Sequence, residues 1–299
     1  MKFPDTIGSY ERKTIMRDYI IMTDSGSDLS VAKAKELGIE LVDLCVIINE
    51  ETKQSRDVDI KEFYSFLRNK GVTTTSAVNL ETIKDAMEPI VAEGKDVLYL
   101  SFSSGLSTTY NASSMAAEEM TELHPEAKVF AVDTLCASLG QGMFVYLVAK
   151  KKAEGATIEE ARDYAEALKP NLCHQFTVDD LMFLKRGGRV SAATAAVGTM
   201  LGIKPLLHVD NEGHLIKTGT ARGRKGSLDA IFDKMKAGIT NTEEIWICHG
   251  DCIEDAKYIE QRAKTELGVK EVFIDYTGVV IGSHSGPGTL ALFYIGTER

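Results

Sequence analysis

The chain has 299 residues, 44% of them apolar and 26% charged, with a formal net charge of -10. That length and balance suit a soluble globular protein of two ordinary domains or one large one. The excess of acid argues against nucleic acid or an anionic membrane as the main partner of the surface.

Residues 1–17 are polar and mixed in charge, lack the apolar stretch of an export signal, and read as an extension outside the core fold. No uncharged apolar run reaches the ~18 residues of a membrane span. Five scattered cysteines, Cys45, Cys136, Cys173, Cys248 and Cys252, fit a reducing compartment better than a disulfide framework. A cytoplasmic protein is expected.

Tyr19 to Thr23 reads as a strand, Asp24 to Asp28 as a polar turn, and Leu29 to Leu37 as a helix stopped by Gly38. Leu41 to Ile48 reads as a second strand, too continuously apolar to lie open on one face. Asp59 caps a helix to about Lys70, and Thr73 to Asn79 reads as a hydroxyl-rich loop before a helix over Leu80 to Glu93. Val97 to Leu100 is strand-like and Ser107 to Leu123 helical; Ser103-Ser104-Gly105-Leu106-Ser107 lies between, free of charge. Hydroxyls and free N–H groups between a strand and a helix suit an anion, although serine also serves simply as a helix cap. A strand over Val129 to Val132 precedes helices from Ser138 to Glu154 and from Ile158 to Leu168.

Pro170 marks the expected domain boundary, giving 1–17 as extension, 18–170 as a mainly parallel βα domain and 171–299 as a mixed α/β domain. Cys173 to Val178 reads as a strand, and a short helix ends at Gly187-Gly188-Arg189. Val190 to Leu201 reads as an Ala-rich helix whose small residues suit close helix packing or an apolar ligand. Lys204 to Val209 and Leu215 to Thr220 read as a hairpin around Asn211-Glu212-Gly213. Helix Gly226 to Ala237, strand Ile245 to Cys248, helix Ile253 to Leu267 and strand Glu271 to Ile274 follow. The glycine-rich loop Gly282 to Gly288 then leads into an apolar strand.

Four polar segments, 24–28, 73–79, 103–111 and 283–288, are expected to converge, because loops at the carboxyl ends of parallel strands gather ligands. His284 stands out: in a loop of Gly, Ser and Pro no apolar face would bury it for packing, so binding an anion or moving a proton is the sharper reading. His124, His208 and His214 read as surface or hairpin residues and His174 as a strand residue. Arg189 adds a fixed positive charge suited to a carboxylate or phosphate. Singly, Asp24 also reads as a cap, Thr75 and Ser76 as turn residues, and Arg189 as a surface charge. Cys248, His249, Asp251 and Cys252 lack a second ligand cluster to close a metal site, so neither metal nor cofactor is expected. A G-x-S-x-G elbow, a dinucleotide fingerprint and a P-loop are all missing. The residues alone lead to an α/β protein that binds a small anion, with room for an apolar tail.

Ile21-Met22-Thr23-Asp24-Ser25, Thr74-Thr75-Ser76, Ser103-Ser104-Gly105-Leu106-Ser107, Val132-Asp133-Thr134, Lys185 to Val190 and His284 to Gly288 occur in an order and spacing that resemble the DegV family. That family includes the fatty-acid-binding subunits of bacterial fatty acid kinase. The resemblance spans the chain from about Tyr19. It implies a two-domain α/β fold with a fatty acid buried between the domains, its carboxylate held by Thr75, Ser76, Ser104 or Ser107, Arg189 and His284, with Asp24 and Ser25 in support. It further implies a separate ATP-dependent kinase subunit that phosphorylates the bound carboxylate, so that this chain is a binding subunit rather than an enzyme. The basic cluster Arg222, Arg224 and Lys225 would be its docking surface. The sequence departs from the family at Ala77-Val78-Asn79, where glutamine and proline usually follow the serine, and at Thr108, which replaces a glycine. A stand-alone enzyme on a small anionic substrate and a lipid sensor or store without a kinase remain as alternatives.

Overall fold

The computed structural model describes residues 17–191 and 202–299. Nearly all of the expected N-terminal extension and of the Ala-rich helix therefore lies outside the described residues. At the first boundary, Arg17 pairs with Asp96 at 3.0 Å.

Strands β1 (Tyr19–Asp24), β2 (Ile39–Val42), β3 (Cys45–Ile48), β4 (Glu51–Gln54), β5 (Thr73–Ser76), β6 (Asp96–Ser101) and β7 (Val129–Asp133) form two sheets. The larger is parallel throughout, in the order β2-β1-β6-β7. Its central strand β6 is buried along its whole length, as a parallel strand covered on both faces must be. The smaller sheet, β4-β3-β5, is antiparallel.

This smaller sheet corrects two expectations. The apolar run Leu41 to Ile48 is two strands in different sheets, broken at Asp43-Leu44, where Asp43 accepts from Ser55 and pairs with Arg56. The expected loop at Thr73 is strand β5, whose β-branched threonines pair with β3 in the register Val46 opposite Thr75.

The six remaining strands form one mixed sheet, β10-β9-β8-β13-β11-β12, built from β8 (Leu172–Thr177), β9 (Ile203–Val209), β10 (Leu215–Arg222), β11 (Glu244–His249), β12 (Glu271–Tyr276) and β13 (Leu290–Ile295). Strands β9 and β10 make the expected hairpin, with a register shift between Lys217 and Gly219. The last helix, Val279–Ser285, replaces most of the loop expected around His284. It buries Val279, Val280 and Gly282, and a side chain at Gly282 would meet the Tyr64 hydroxyl at 2.7 Å. A loop reading of these glycines and serines hid a helix that needs small residues to pack closely.

One apolar cluster joins Leu98, Leu139 and Phe144 of the first half to Leu172, Phe176 and Trp246 of the second. The two halves thus share a core, and a cavity lies where they face each other.

Candidate functional site

The cavity measures about 450 Å³, within the range that holds a small organic ligand. Leu44, Phe102 and Ala137 wall it from the first half; Phe176, Val209 and Phe293 wall it from the second. Thr75, Ser104, Ser107, Arg189 and His284 also line it, so three of the four polar segments and the Gly-Gly-Arg turn do converge. The fourth, Asp24 to Asp28, contributes no lining residue.

Period-two alternation separates Thr75 from Ser76. Thr75 turns inward and its Oγ1 lies 2.7 Å from His284 Nε2. Ser76 turns outward, is exposed, and donates to Ala77 O at 3.3 Å. The structure therefore leaves Ser76 out of the site.

His284 occupies the last turn of its helix against the Gly187 turn: a Cβ on Gly187 would fall 2.1 Å from His284 Nδ1. Burial, and after it the charge of Arg189, lowers the imidazole to about 4. The ring is neutral at neutral pH, and its proton can sit on Nε2 and donate to Thr75. That tautomer frees the Thr75 hydroxyl proton for a bound anion.

Arg189 is half-buried, and desolvation lowers its pKa. Its Nε and Nη2 donate to Leu106 O at 3.2 and 3.0 Å, and Nη1 donates to Gly187 O. The remaining guanidinium donors stay available to a ligand. No carboxylate pairs with Arg189 among the described residues.

The serine turn divides its labour. Ser103 is buried and its Oγ donates to Gly213 O at 2.9 Å, tying the turn to the β9–β10 hairpin. Gly105 permits this approach, since a Cβ there would meet the Glu212 and Gly213 backbone at 2.8 Å. Ser104 and Ser107 face the cavity. The Ser107 hydroxyl bonds Thr109 Oγ1 at 2.9 Å and accepts from Thr109 N, the first N–H of the helix Thr109–Leu123. Thr108 has φ -80°, a conformation open to any residue, and its side chain lines the cavity.

Asp24 and Ser25 stand behind the site. The Asp24 carboxyl, fully buried, accepts from Gly26 N at 3.0 Å and Phe102 N at 2.9 Å, fixing the start of the serine turn. Burial raises it to about 6. Ser25 accepts from Leu44 N at 2.9 Å and from Ser55 Oγ at 2.7 Å. It holds the crossing between the two smaller sheets and, through Leu44, supports the cavity wall without lining it.

Elsewhere, Arg224 pairs with Asp255 at 2.8 Å and with Asp179 at 3.6 Å, and Lys225 pairs with Asp229 at 3.0 Å. Arg222 is exposed at the start of the helix Gly223–Gly238. The basic cluster is thus largely neutralised where it stands. Cys248 takes hydrogen bonds from Ser138 and Thr277, and Cys252 bonds Thr289 O; the described residues hold no group of metal-ligand composition. None of the described helices is long and apolar enough to cross a membrane.

Asn111, Ser138 and His174 also line the cavity; Asn111 closes the expected segment 103–111, whereas Ser138 was read only as a helix start and His174 as a strand residue. Asn111 sits four residues past Ser107, on the helix face that spacing predicts. The other two depend on long-range packing.

A profile of uncharacterised proteins of the DegV family matches residues 19–297. A DegV domain-containing protein of Clostridium perfringens is 44% identical over 289 residues, covering 95% of this chain and 99% of that one. The structure of a DegV family protein from Thermus thermophilus, described for its fatty acid binding, superposes with a TM-score of 0.85 at 31% identity, covering 94% of this chain and all of that one. The Streptococcus pneumoniae fatty acid kinase (Fak) B3 protein, loaded with linoleic acid, shares the fold with a TM-score of 0.83 at 19% identity, covering 93% of this chain and 99% of that one.

Proposed function

This chain belongs to the DegV family, and we propose that it is a cytoplasmic fatty-acid-binding protein that holds the acyl chain between two domains, 18–170 and 171–299, and presents its carboxylate to a separate kinase. One observation carries the reading: a largely apolar cavity has a single cationic side chain, Arg189, without a carboxylate partner among the described residues, set beside Thr75, His284 and the serines. Burying the tail contributes ~0.8 kcal/mol per methylene, part of which is offset by ordering the ligand. The polar end then fixes which end enters. A buried carboxylate needs its lone pairs satisfied, and the free donors of Arg189, the Thr75 hydroxyl and Ser104 or Ser107 supply them.

In this reading the kinase transfers the γ-phosphoryl group of ATP to a carboxylate oxygen, giving acyl phosphate and ADP. This chain supplies position and charge. The Thermus thermophilus relative supports fatty acid as the ligand class; the likeness to the pneumococcal protein is one of fold. Docking through Arg222, Arg224 and Lys225 belongs to the same proposal, weakened by the local ion pairs of the latter two.

The Thr75–His284 pair also has the spacing of a nucleophile and its base. That favours a stand-alone enzyme only if a third group orients the imidazole, and Nδ1 of His284 instead abuts Gly187.

The test is reconstitution. With a bacterial fatty acid kinase subunit, ATP and oleic acid, acyl phosphate should form only when this chain is present, and Arg189→Ala should abolish the effect. Turnover of small esters or phosphates by the chain alone would favour the enzyme; retained fatty acid without acyl phosphate across several kinase subunits would favour a sensor or store.

A further inference from the structure

Away from Arg189 and His284 the cavity wall carries a polar side chain that packing alone does not explain. His174 stands on β8, where alternation places it on the same face as Leu172 and Phe176, both members of the apolar core. A leucine or phenylalanine would be the ordinary occupant of such a position. Yet His174 is 2% exposed and lines the cavity, with its ring edge-on to Phe293 at a centroid distance of 5.1 Å. Gly140 makes room for it, since a Cβ there would fall 2.2 Å from His174 Nε2.

Neither ring nitrogen of His174 finds a hydrogen-bond partner among the described residues. Leaving a buried polar group unsatisfied costs about 1–3 kcal/mol, so a partner from outside the chain has room to contribute. Burial drives the imidazole well below its ordinary pKa, so it is neutral. It then offers one N–H donor and one acceptor nitrogen, which match a hydroxyl or a keto oxygen and repel neither.

Its place along the cavity follows from the strand register. His174 pairs with Phe293, whereas Thr177 pairs with Leu290. The chain leaves β8 after Thr177 toward Arg189 and enters β13 from His284. His174 is therefore three residues, about 10 Å, back from the strand ends that lead to the polar end. An acyl chain anchored at Arg189 would pass His174 with its middle or distal carbons.

We infer that the cavity takes an acyl chain bearing an oxygen substituent, hydroxyl or keto, at a carbon that reaches His174. This rests on the cavity being a fatty-acid site.

The experiment is a competition series on the delipidated protein, displacing a fluorescent fatty acid with stearic acid and with positional isomers of hydroxystearic and oxostearic acid. At least one mid-chain or distal isomer should bind about tenfold tighter than stearic acid, equivalent to about 1.4 kcal/mol. In His174→Leu that preference should vanish while stearic acid binds as well or better; Thr75→Val should weaken all ligands alike. Stearic acid binding the wild type as tightly as every isomer would overturn the inference and leave the fatty-acid reading standing. So would a preference that survives His174→Leu. Failure of all the acids to displace the probe would overturn both. The wild-type series decides by itself should the variant not fold.

Discussion

Arg189 brings a full positive charge into a mostly apolar cavity, held by two carbonyl oxygens and paired with no carboxylate among the described residues. An anion placed there gains charge-assisted hydrogen bonds of about 1.5–3 kcal/mol each. Arg189→Ala should therefore weaken fatty-acid binding tenfold to a hundredfold or more, by titration of the delipidated protein, with the circular dichroism spectrum unchanged. Thr75→Val should cost about 0.5–1.5 kcal/mol, a loss of several-fold. Unaltered affinity in both would place the carboxylate elsewhere.

His284 gives a pH signature. Its folded value of about 4 lies below the ordinary 6.5, so between these values the unfolded chain takes a proton that the empty site refuses. Stability from this group is fully present above pH 6.5 and falls as pH drops toward 4. A carboxylate beside the ring favours the imidazolium, so binding near pH 5 should draw in a proton. Calorimetry in buffers of different ionisation heat should read that uptake in the wild type and lose it in His284→Gln. Equal uptake in both would exclude His284 as its source.

At this scale the polar residues that gather at the cavity were readable, because Arg189, His284 and the serines are polar types in small-residue surroundings. Ser76 was not, since a loop has no alternating faces and the strand that supplies them is set by pairing with β3, distant in sequence. His174 was not either. A histidine in an apolar strand reads the same whether or not its nitrogens find partners.

At the scale of elements, the site is assembled by close approaches that glycines permit. Gly187 brings the end of the helix Met182–Arg186 onto the imidazole of His284, within the space a Cβ would take. Gly187→Ala must push the ring or its helix away, an overpacking cost of about 1–3 kcal/mol. The expected outcome is a melting temperature lowered by several degrees and a loss of fatty-acid affinity approaching that of His284→Ala. A variant with wild-type affinity would show that this contact does not position the ring.

The sequence pattern located most helices to within a few residues, with Asp59 read as a cap; in the structure Ser30, Asn79 and Thr157 cap their helices as well. It failed at Val279–Ser285, where glycine and serine signalled a loop and tight packing against Tyr64 made a helix. It failed again at Leu41 to Ile48, because a chain that changes sheets keeps its apolar character while changing partners.

Across the whole molecule, buried polar groups sit at the junction of the two halves. Asp28, at φ 54°, receives the Ser138 hydroxyl, and a Cβ on Gly278 would fall 2.3 Å from its Oδ1. Burial raises its carboxyl from 3.8 to about 7. The folded protein thus holds a proton there that the unfolded chain releases, so this contribution is complete below pH 3.8 and lost as pH rises through 7. Asparagine tolerates the left-handed backbone and carries no charge. Asp28→Asn should raise the melting temperature most at pH 8 and by less at pH 5, where part of the contribution remains. A variant destabilised equally at both would mean that Asp28 is needed as a carboxylate.

The same junction encloses the cavity, with walls from both halves of the chain and one cationic end. Whether an acyl chain fills this cavity is read on the protein as purified from cells, by denaturing it, extracting with solvent and quantifying lipid by mass spectrometry. A fatty acid at about one per chain is expected, with oxygenated chains among the species retained. A protein that emerges empty and then refuses added fatty acids would contradict it.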